Sequence, residues 1–161
     1  MKRCKKYING AWTESVSGNA APTFNPATGE ELAQVVVSTP EDVDRAVAAG
    51  QTGIYETREG GDMDSQTRGD FLVRIGDLIG GAREELAYLD AVDMGKPLRE
   101  AEGDVDDAIH CYRYYAGLIK VPQGGSYGVN AGFGEMHSYT IHEPVGGVGL
   151  ITPWNYPFLM G

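Results

Sequence analysis

The carboxyl-terminal part of the chain combines residue types that could bind a ligand or take part in catalysis. An apolar run over residues 145–151 passes directly into Thr152-Pro153-Trp154-Asn155-Tyr156-Pro157, where polar and aromatic groups lie between two prolines. In open α/β sheets, the ligand crevice lies beyond the carboxyl ends of the strands. The pattern therefore predicts a buried parallel strand that presents Pro153, Trp154 and Asn155 at such a crevice.

Each side chain of this turn has a definite chemical capability. The Asn155 amide is a neutral donor that could stabilise a developing oxyanion, a contribution of about 3 kcal/mol in the transition state. The Trp154 indole and the loop backbone could hold a flat or phosphorylated cofactor, and Tyr156 and Met160 could line an apolar approach. On the residues alone, a purely structural turn after a strand explains the pattern equally well.

Three other patterns have simpler explanations than catalysis or ligand binding. Gly147-Val148-Gly149 lies inside the predicted strand and lacks the third glycine of a dinucleotide fingerprint, so it favours close packing of a neighbouring backbone. Gly95-Lys96-Pro97 lacks the rest of a phosphate loop and is typical of a helix terminus. No histidine has metal-ligand spacing. The acidic residues predicted to form a solvated helix face are Glu100, Glu102, Asp104, Asp106 and Asp107.

The upstream sequence predicts a small β layer followed by helices. Asn9-Gly10 between short apolar flanks is typical of a type I′ hairpin, and further strands are expected around residues 23–24 and over residues 32–37. Thr39, followed by a proline and two carboxylates, predicts the start of a short helix. Residues 50–66 show no periodicity and are expected to form a loop.

Two long amphipathic helices and a pair of strands are predicted next. Apolar residues at intervals of three and four predict one helix from Phe71 to Gly95, weakened at Gly80-Gly81 by up to about 2 kcal/mol. A second helix is expected from about Pro97 to Ile119, packed against the first. Alternation over residues 135–143 predicts an antiparallel strand with one exposed face, paired with residues 127–131.

Composition and charge exclude several classes of function. The chain has 161 residues and a formal net charge of −10, which disfavours a nucleic-acid partner. No stretch approaches the roughly 18 consecutive apolar residues of a membrane span. Cys4 and Cys111 give neither a disulfide framework nor a metal-ligand spacing, and the basic start lacks the apolar segment of a secretory signal. A cytoplasmic location is therefore expected.

Several stretches together resemble one known family over the chain from about residue 7 to the end. They are EPVGGVG at 143–149 with PWN at 153–155, FNPATGE at 24–30, DMGKP at 93–97 and YYAG at 114–117. This set is similar to the NAD(P)-dependent aldehyde dehydrogenases, most nearly the betaine-aldehyde and broad-specificity types. The resemblance implies an oxidoreductase that converts an aldehyde to a carboxylic acid with NAD or NADP.

The resemblance also implies roles for individual residues. Asn155 would be the oxyanion donor, and Tyr156 and Met160 would line the aldehyde tunnel. The residues that would contact the cofactor are Ile151, Thr152, Pro153, Trp154 and Asn155. The residues that would hold a monovalent cation, as in some members, are Thr23, Phe24 and Asp93. Protruding strands within residues 123–142 would join homodimers or tetramers.

The implied fold is the amino-terminal part of an α/β aldehyde dehydrogenase, ending with the first strand of an incomplete Rossmann-like sheet. Residues 1–122 would belong to the cofactor-binding domain, residues 123–142 would be the oligomerisation strands and residues 143–161 the truncated strand and cofactor turn. The nucleophilic cysteine and general-base glutamate of the family would lie beyond Gly161, so the chain alone is expected to be inactive. The alternative is a non-catalytic assembly module that pairs through exposed strands. The sequence does not identify the aldehyde and does not distinguish NAD from NADP.

Overall fold

The amino-terminal part of the protein is a small β layer, as the sequence predicts. The computed structural model describes residues 2–56, 60–130 and 132–161. Strand β1 (Lys2–Cys4) pairs in parallel with β5 (Glu31–Val36), and β5 pairs antiparallel with β4 (Ala20–Phe24). Strands β2 (Lys6–Ile8) and β3 (Ala11–Thr13) form a separate antiparallel hairpin.

The turn between β2 and β3 has the predicted type I′ conformation. Asn9 and Gly10 both adopt positive φ angles, 50° and 75°, as this turn requires at its two central positions. Directly across the hairpin, Tyr7 pairs with Trp12, and their rings meet edge to face with centroids 5.1 Å apart. Local turn chemistry and one aromatic pair therefore set the register of this hairpin.

Helix α1 (Pro40–Gln51) begins with a capping box and is tied to the β layer by one carboxylate. The Thr39 amide donates to Asp42 Oδ2 (2.9 Å), and the Asp42 amide donates to the Thr39 hydroxyl (3.3 Å). The buried Asp42 side chain also accepts from the Ser15 hydroxyl (2.7 Å) and pairs with Lys6 Nζ (2.5 Å). The Lys6 contact, followed by the Thr39 amide, holds the pKa of Asp42 well below its usual range despite burial.

The helices differ from the prediction at two places. The single long helix expected from Phe71 to Gly95 is wrong, because α2 (Ser65–Gly81) ends and α3 (Arg83–Met94) begins around Ala82, whose φ and ψ are −110° and 14°. The break follows Gly80-Gly81, where helix propensity is lowest. Within the predicted loop, a short π-helix extends over Thr52–Glu56.

The core lies where helix α4 (Leu98–Leu118) crosses α2 and α3. Its centre is formed by small and β-branched residues, which allow helix backbones to approach closely. These buried residues are Ala87 of α3 and Ala101, Val105 and Ile109 of α4. Among the described helices, none combines the length and apolar character needed to cross a lipid bilayer.

An exposed hairpin follows the helices. Strands β6 (Ser126–Asn130) and β7 (Glu135–Tyr139) pair antiparallel, as predicted, with Ser126 opposite Tyr139. Position 131 of the expected strand lies outside the described residues. Every residue of both strands is exposed, so the hairpin is solvated on two faces where one was expected.

The segment before the turn does not form the predicted buried strand. Residues 141–151 have no assigned strand, and the Val145 and Ile151 side chains are 85% and 100% exposed. Within the described chain, no backbone hydrogen bond joins residues 141–155 to another residue. The prediction of a buried strand is therefore wrong for this chain, because a parallel strand forms only where neighbouring strands satisfy its amides and carbonyls.

Candidate active-site turn

The chain after the extended segment folds into consecutive turns that present the predicted site residues. The Met160 amide donates to the Tyr156 carbonyl (3.1 Å), and the Gly161 amide donates to the Phe158 carbonyl (3.3 Å). Phe158 is half-buried and packs against the helical core around Ala87 and Val105. This contact, which sequence reasoning missed, holds the turn against α3 and α4.

All but one of the predicted cofactor and catalytic residues are exposed. Ile151, Thr152 and Asn155 are exposed, and Trp154 is 88% exposed, while Pro153 is half-buried. The two residues predicted to line the aldehyde approach, Tyr156 and Met160, are also exposed. Apart from Pro153, the predicted residues are therefore accessible to a ligand.

A buried lysine lies directly beneath the turn. Lys96 Nζ is 2.9 Å from Asp90 Oδ2, donates to Asp104 Oδ2, and lies 5.0 Å from the centroid of the Tyr156 ring. The three charged side chains are 5–11% exposed. Gly95 has φ of 88° and ends α3, so the predicted helix terminus is confirmed, but the role of the following lysine was missed.

The burial of Asp104 corrects the prediction that it belongs to a solvated helix face. Asp104 falls beside Ala101, Val105 and Ala108 on the face of α4 that enters the core. The sequence contained a signal for this burial, because Asp104 is spaced with the apolar residues of the helix. A carboxylate in such a position requires a buried partner. Asp106 is half-buried and forms a paired contact with Arg83 (2.7 and 2.8 Å).

The charge of Lys96 is maintained in this buried site. Burial by itself would lower its pKa, but the contacts with the carboxylates of Asp104 and Asp90 outweigh burial and raise the pKa above its ordinary value. The ammonium group therefore stays protonated at neutral pH and can contact the aromatic ring.

The residues suggested for a monovalent cation meet at a different place. The Thr23 hydroxyl donates to Asp93 Oδ1, which brings the carboxylate beside β4. The register of β4 and β5 shifts between Thr23 and Phe24, and such a bulge disturbs the regular pairing of backbone groups. Among the described residues, no group of three or more His, Cys, Asp or Glu side chains could hold a metal ion.

Comparison with known proteins gives the deciding observation, because residues 12–161 match the model of the Aldehyde dehydrogenase family. The chain belongs to this family. Aminoaldehyde dehydrogenase 2 of Zea mays is 42% identical over 159 residues, covering 96% of this chain and 31% of that protein. Betaine aldehyde dehydrogenase of Hordeum vulgare is 41% identical over 156 residues, with 96% and 31% covered.

The fold of the family is confirmed by comparison with a solved structure. A double mutant of betaine aldehyde dehydrogenase from Staphylococcus aureus, in complex with NAD+, matches with a TM-score of 0.88 and 36% identity. The match covers 99% of this chain and 32% of the other, so the chain spans about a third of the relatives' length. Both the predicted family and the predicted mixed α/β fold are therefore confirmed.

Proposed function

We propose that this chain supplies the cofactor turn and the oxyanion donor of an NAD(P)-dependent aldehyde dehydrogenase. The observation that carries the proposal is the family match through residues 12–161, which includes the whole turn with Asn155. The activity belongs to a protein that also contains a nucleophilic cysteine and a general-base glutamate. The 161 residues alone are expected to be inactive.

Asn155 would act on the carbonyl oxygen of the aldehyde. When a nucleophile adds to the carbonyl carbon, negative charge develops on that oxygen, and the Asn155 side-chain amide would donate a hydrogen bond to it. A neutral donor suits this role because it stabilises the charge without itself losing a proton. Removal of one such donor typically lowers kcat by about 100- to 1000-fold.

The residues preceding Asn155 would hold the cofactor, which accepts a hydride from the substrate when bound. The exposed indole of Trp154 offers a flat apolar surface, and the backbone at Ile151, Thr152 and Pro153 would contact the cofactor, the first two of these residues being exposed. The NAD+ complex of the Staphylococcus aureus relative supports an NAD-type cofactor. Tyr156 and Met160 would line the approach of the aldehyde to this surface.

A monovalent cation would be held by oxygen atoms near the bulge of β4. Backbone carbonyls at Thr23 and Phe24 and the carboxylate of Asp93 are hard oxygen ligands, and the Thr23–Asp93 contact brings the carboxylate to the strand. The cation would supply charge compensation at this edge of the β layer. Its role would be structural, away from the turn that carries Asn155.

Assembly would use the exposed hairpin within residues 123–142. Apolar side chains on both strands and the connecting turn are exposed, including Tyr127 (58%), Phe133 (83%) and Tyr139 (64%). A surface of this kind is typical of an interaction site. We assign residues 1–122 to the cofactor-binding domain, the hairpin to homo-oligomer formation and residues 143–161 to the cofactor turn, in a cytoplasmic enzyme.

Replacement of the corresponding first third of the Staphylococcus aureus betaine aldehyde dehydrogenase by these 161 residues tests the catalytic proposal. The chimera should form NADH in the presence of betaine aldehyde, and Asn155→Ala should lower kcat by about 100- to 1000-fold. Asn19→Ala, in an exposed loop, is the matched control and should leave kcat unchanged. An active chimera in which Asn155→Ala behaves like Asn19→Ala would contradict the proposed role.

The exposed hairpin also favours a second candidate, a non-catalytic assembly module. The coding sequence after Gly161 separates the two, because the enzyme requires a downstream cysteine and glutamate in family contexts, whereas the module requires a stop. Aldehyde-dependent NADH formation by the purified 161-residue chain would refute the expectation that it is inactive by itself.

A further inference from the structure

The turn that carries Asn155 rests on the helices at two points. Phe158 packs into the apolar core of α3 and α4, three residues after Asn155. Tyr156, the immediate neighbour of Asn155, places its ring 5.0 Å from the buried ammonium group of Lys96. The first contact is apolar and tolerates sliding, whereas the second depends on the position of a single charged atom.

The ammonium group of Lys96 is itself held from two directions. Asp90 comes from α3 and Asp104 from α4, and both carboxylates contact the same Nζ atom. Lys96 lies between these helices, two residues before α4 begins. Because the charge is fixed to two rigid helices, its position relative to the core is well defined.

The fixed charge of Lys96 can restrain the ring of Tyr156. A cation attracts the negative face of an aromatic ring, and the attraction is stronger where water is excluded, as around Lys96. Restraint of the Tyr156 ring restrains the backbone on which the Asn155 amide is mounted, since the two residues share a peptide bond. Catalytic hydrogen-bond donors require such restraint, because displacement of about 1 Å can cost about 100-fold in rate.

We propose that Lys96, clamped by Asp90 and Asp104, is a positioning residue that orients the Asn155 turn through the Tyr156 ring. This inference rests on the proposed function for the part that concerns Asn155. The Gly95-Lys96-Pro97 sequence thereby has a second role besides ending a helix. Lys96 contacts neither the substrate nor the cofactor and acts through Tyr156.

Amide hydrogen exchange of the 161-residue chain, followed by NMR, tests the contact without any enzymatic readout. The Met160 amide, bonded to the Tyr156 carbonyl, reports on the turn, and the Ile109 amide reports on α4. Tyr156→Leu removes the ring and should lower Met160 protection about five- to tenfold, as expected for loss of a cation–π contact. Tyr156→Phe keeps the ring and should stay within about twofold of the parent chain. Ile109 protection should remain unchanged in both variants.

The lysine side of the contact is tested by two further variants. Lys96→Arg keeps a cation and should retain Met160 protection, whereas Lys96→Met should lose it and should also shift the side-chain amide signals of Asn155. In a Lys96→Met background, Tyr156→Leu should cause little additional loss. If Lys96→Met unfolds the chain, the two tyrosine variants still decide the question, because both leave the ion cluster intact.

Two results would overturn the proposal. One is equal loss of Met160 protection in Tyr156→Phe and Tyr156→Leu, which would mean that the ring does not make the contact. The other is a parallel loss at Met160 and Ile109 in Tyr156→Leu, which is the signature of general destabilisation. Because the measurement requires no catalysis, a failure of the oxyanion role of Asn155 in the chimera would leave the Lys96–Tyr156 contact to be judged separately.

Discussion

Gly69 provides a sensitive test of how closely α2 and α4 pack. Gly69 is buried. A Cβ atom added to it would lie 2.8 Å from the backbone carbonyl oxygen of Ala116 and would also collide with the end of the Lys120 side chain. The lysine can move aside at little cost because it is flexible. The carbonyl belongs to the backbone of α4, so Gly69→Ala must push the two helices apart.

The expected size of the effect follows from two opposing contributions. Overpacking of a tightly filled core typically costs about 1–3 kcal/mol. Alanine is favoured over glycine inside a helix by about 1 kcal/mol, which offsets part of this cost. Because the clash involves backbone and cannot be relieved by a rotamer change, we expect Gly69→Ala to lower the free energy of unfolding, by up to about 2 kcal/mol.

Gly103→Ala is the matched control, since Gly103 is an exposed position inside α4 and a Cβ there would meet no atom within 4 Å. This variant gains helix propensity without a clash and should be stabilised by about 0.5–1 kcal/mol. Urea unfolding followed by far-ultraviolet circular dichroism should therefore shift the midpoint in opposite directions for the two variants. If Gly69→Ala is stabilised as much as Gly103→Ala, the close helix crossing is refuted.

Three further predictions concern the other contacts that hold the fold together. The pKa of Asp42 is depressed in the folded state, so the Asp42 carboxylate stabilises the fold above its ordinary pKa of 3.8, and this stabilisation is lost as pH falls through the folded-state pKa. Asp42→Asn should therefore reduce the slope of the free energy of unfolding against pH below about pH 4, measured in acid titrations of unfolding. Lys96→Ala leaves the carboxylates of Asp90 and Asp104 buried without their cation and should cost about 3–5 kcal/mol in urea unfolding, and a loss below about 1 kcal/mol would contradict the buried cluster. Gly10→Ala should lower the melting temperature, at a cost of about 1 kcal/mol, because φ of 75° strains alanine, and an unchanged melting temperature would argue against the type I′ turn.

Features with a local cause were predictable from sequence. The Asn9-Gly10 turn requires residues that tolerate positive φ, and the Thr39 cap requires a hydroxyl with a carboxylate three residues later; both are present in the structure. The carboxyl-terminal boundary of α2 also has a local cause, because the paired glycines 80–81 mark the end of that helix, but helical periodicity continues through them and predicts one long helix. For the candidate site, sequence identified the turn, and its residue roles remain predictions.

The amino-acid sequence by itself indicated the family, through the stretches that resemble it. The sequence also determined the hairpins, the start of α1 and the extent of α4, because turn chemistry, caps and helical periodicity act over a few residues. Only the tertiary structure decided that Lys96 is buried with Asp104 and faces Tyr156, since these contacts join residues 8 and 60 positions apart. Tertiary structure also decided that residues 141–151 stay unpaired, because a parallel strand takes its hydrogen bonds from neighbours elsewhere in the chain. Long-range pairing, which no local pattern encodes, therefore determines how the Asn155 turn is held.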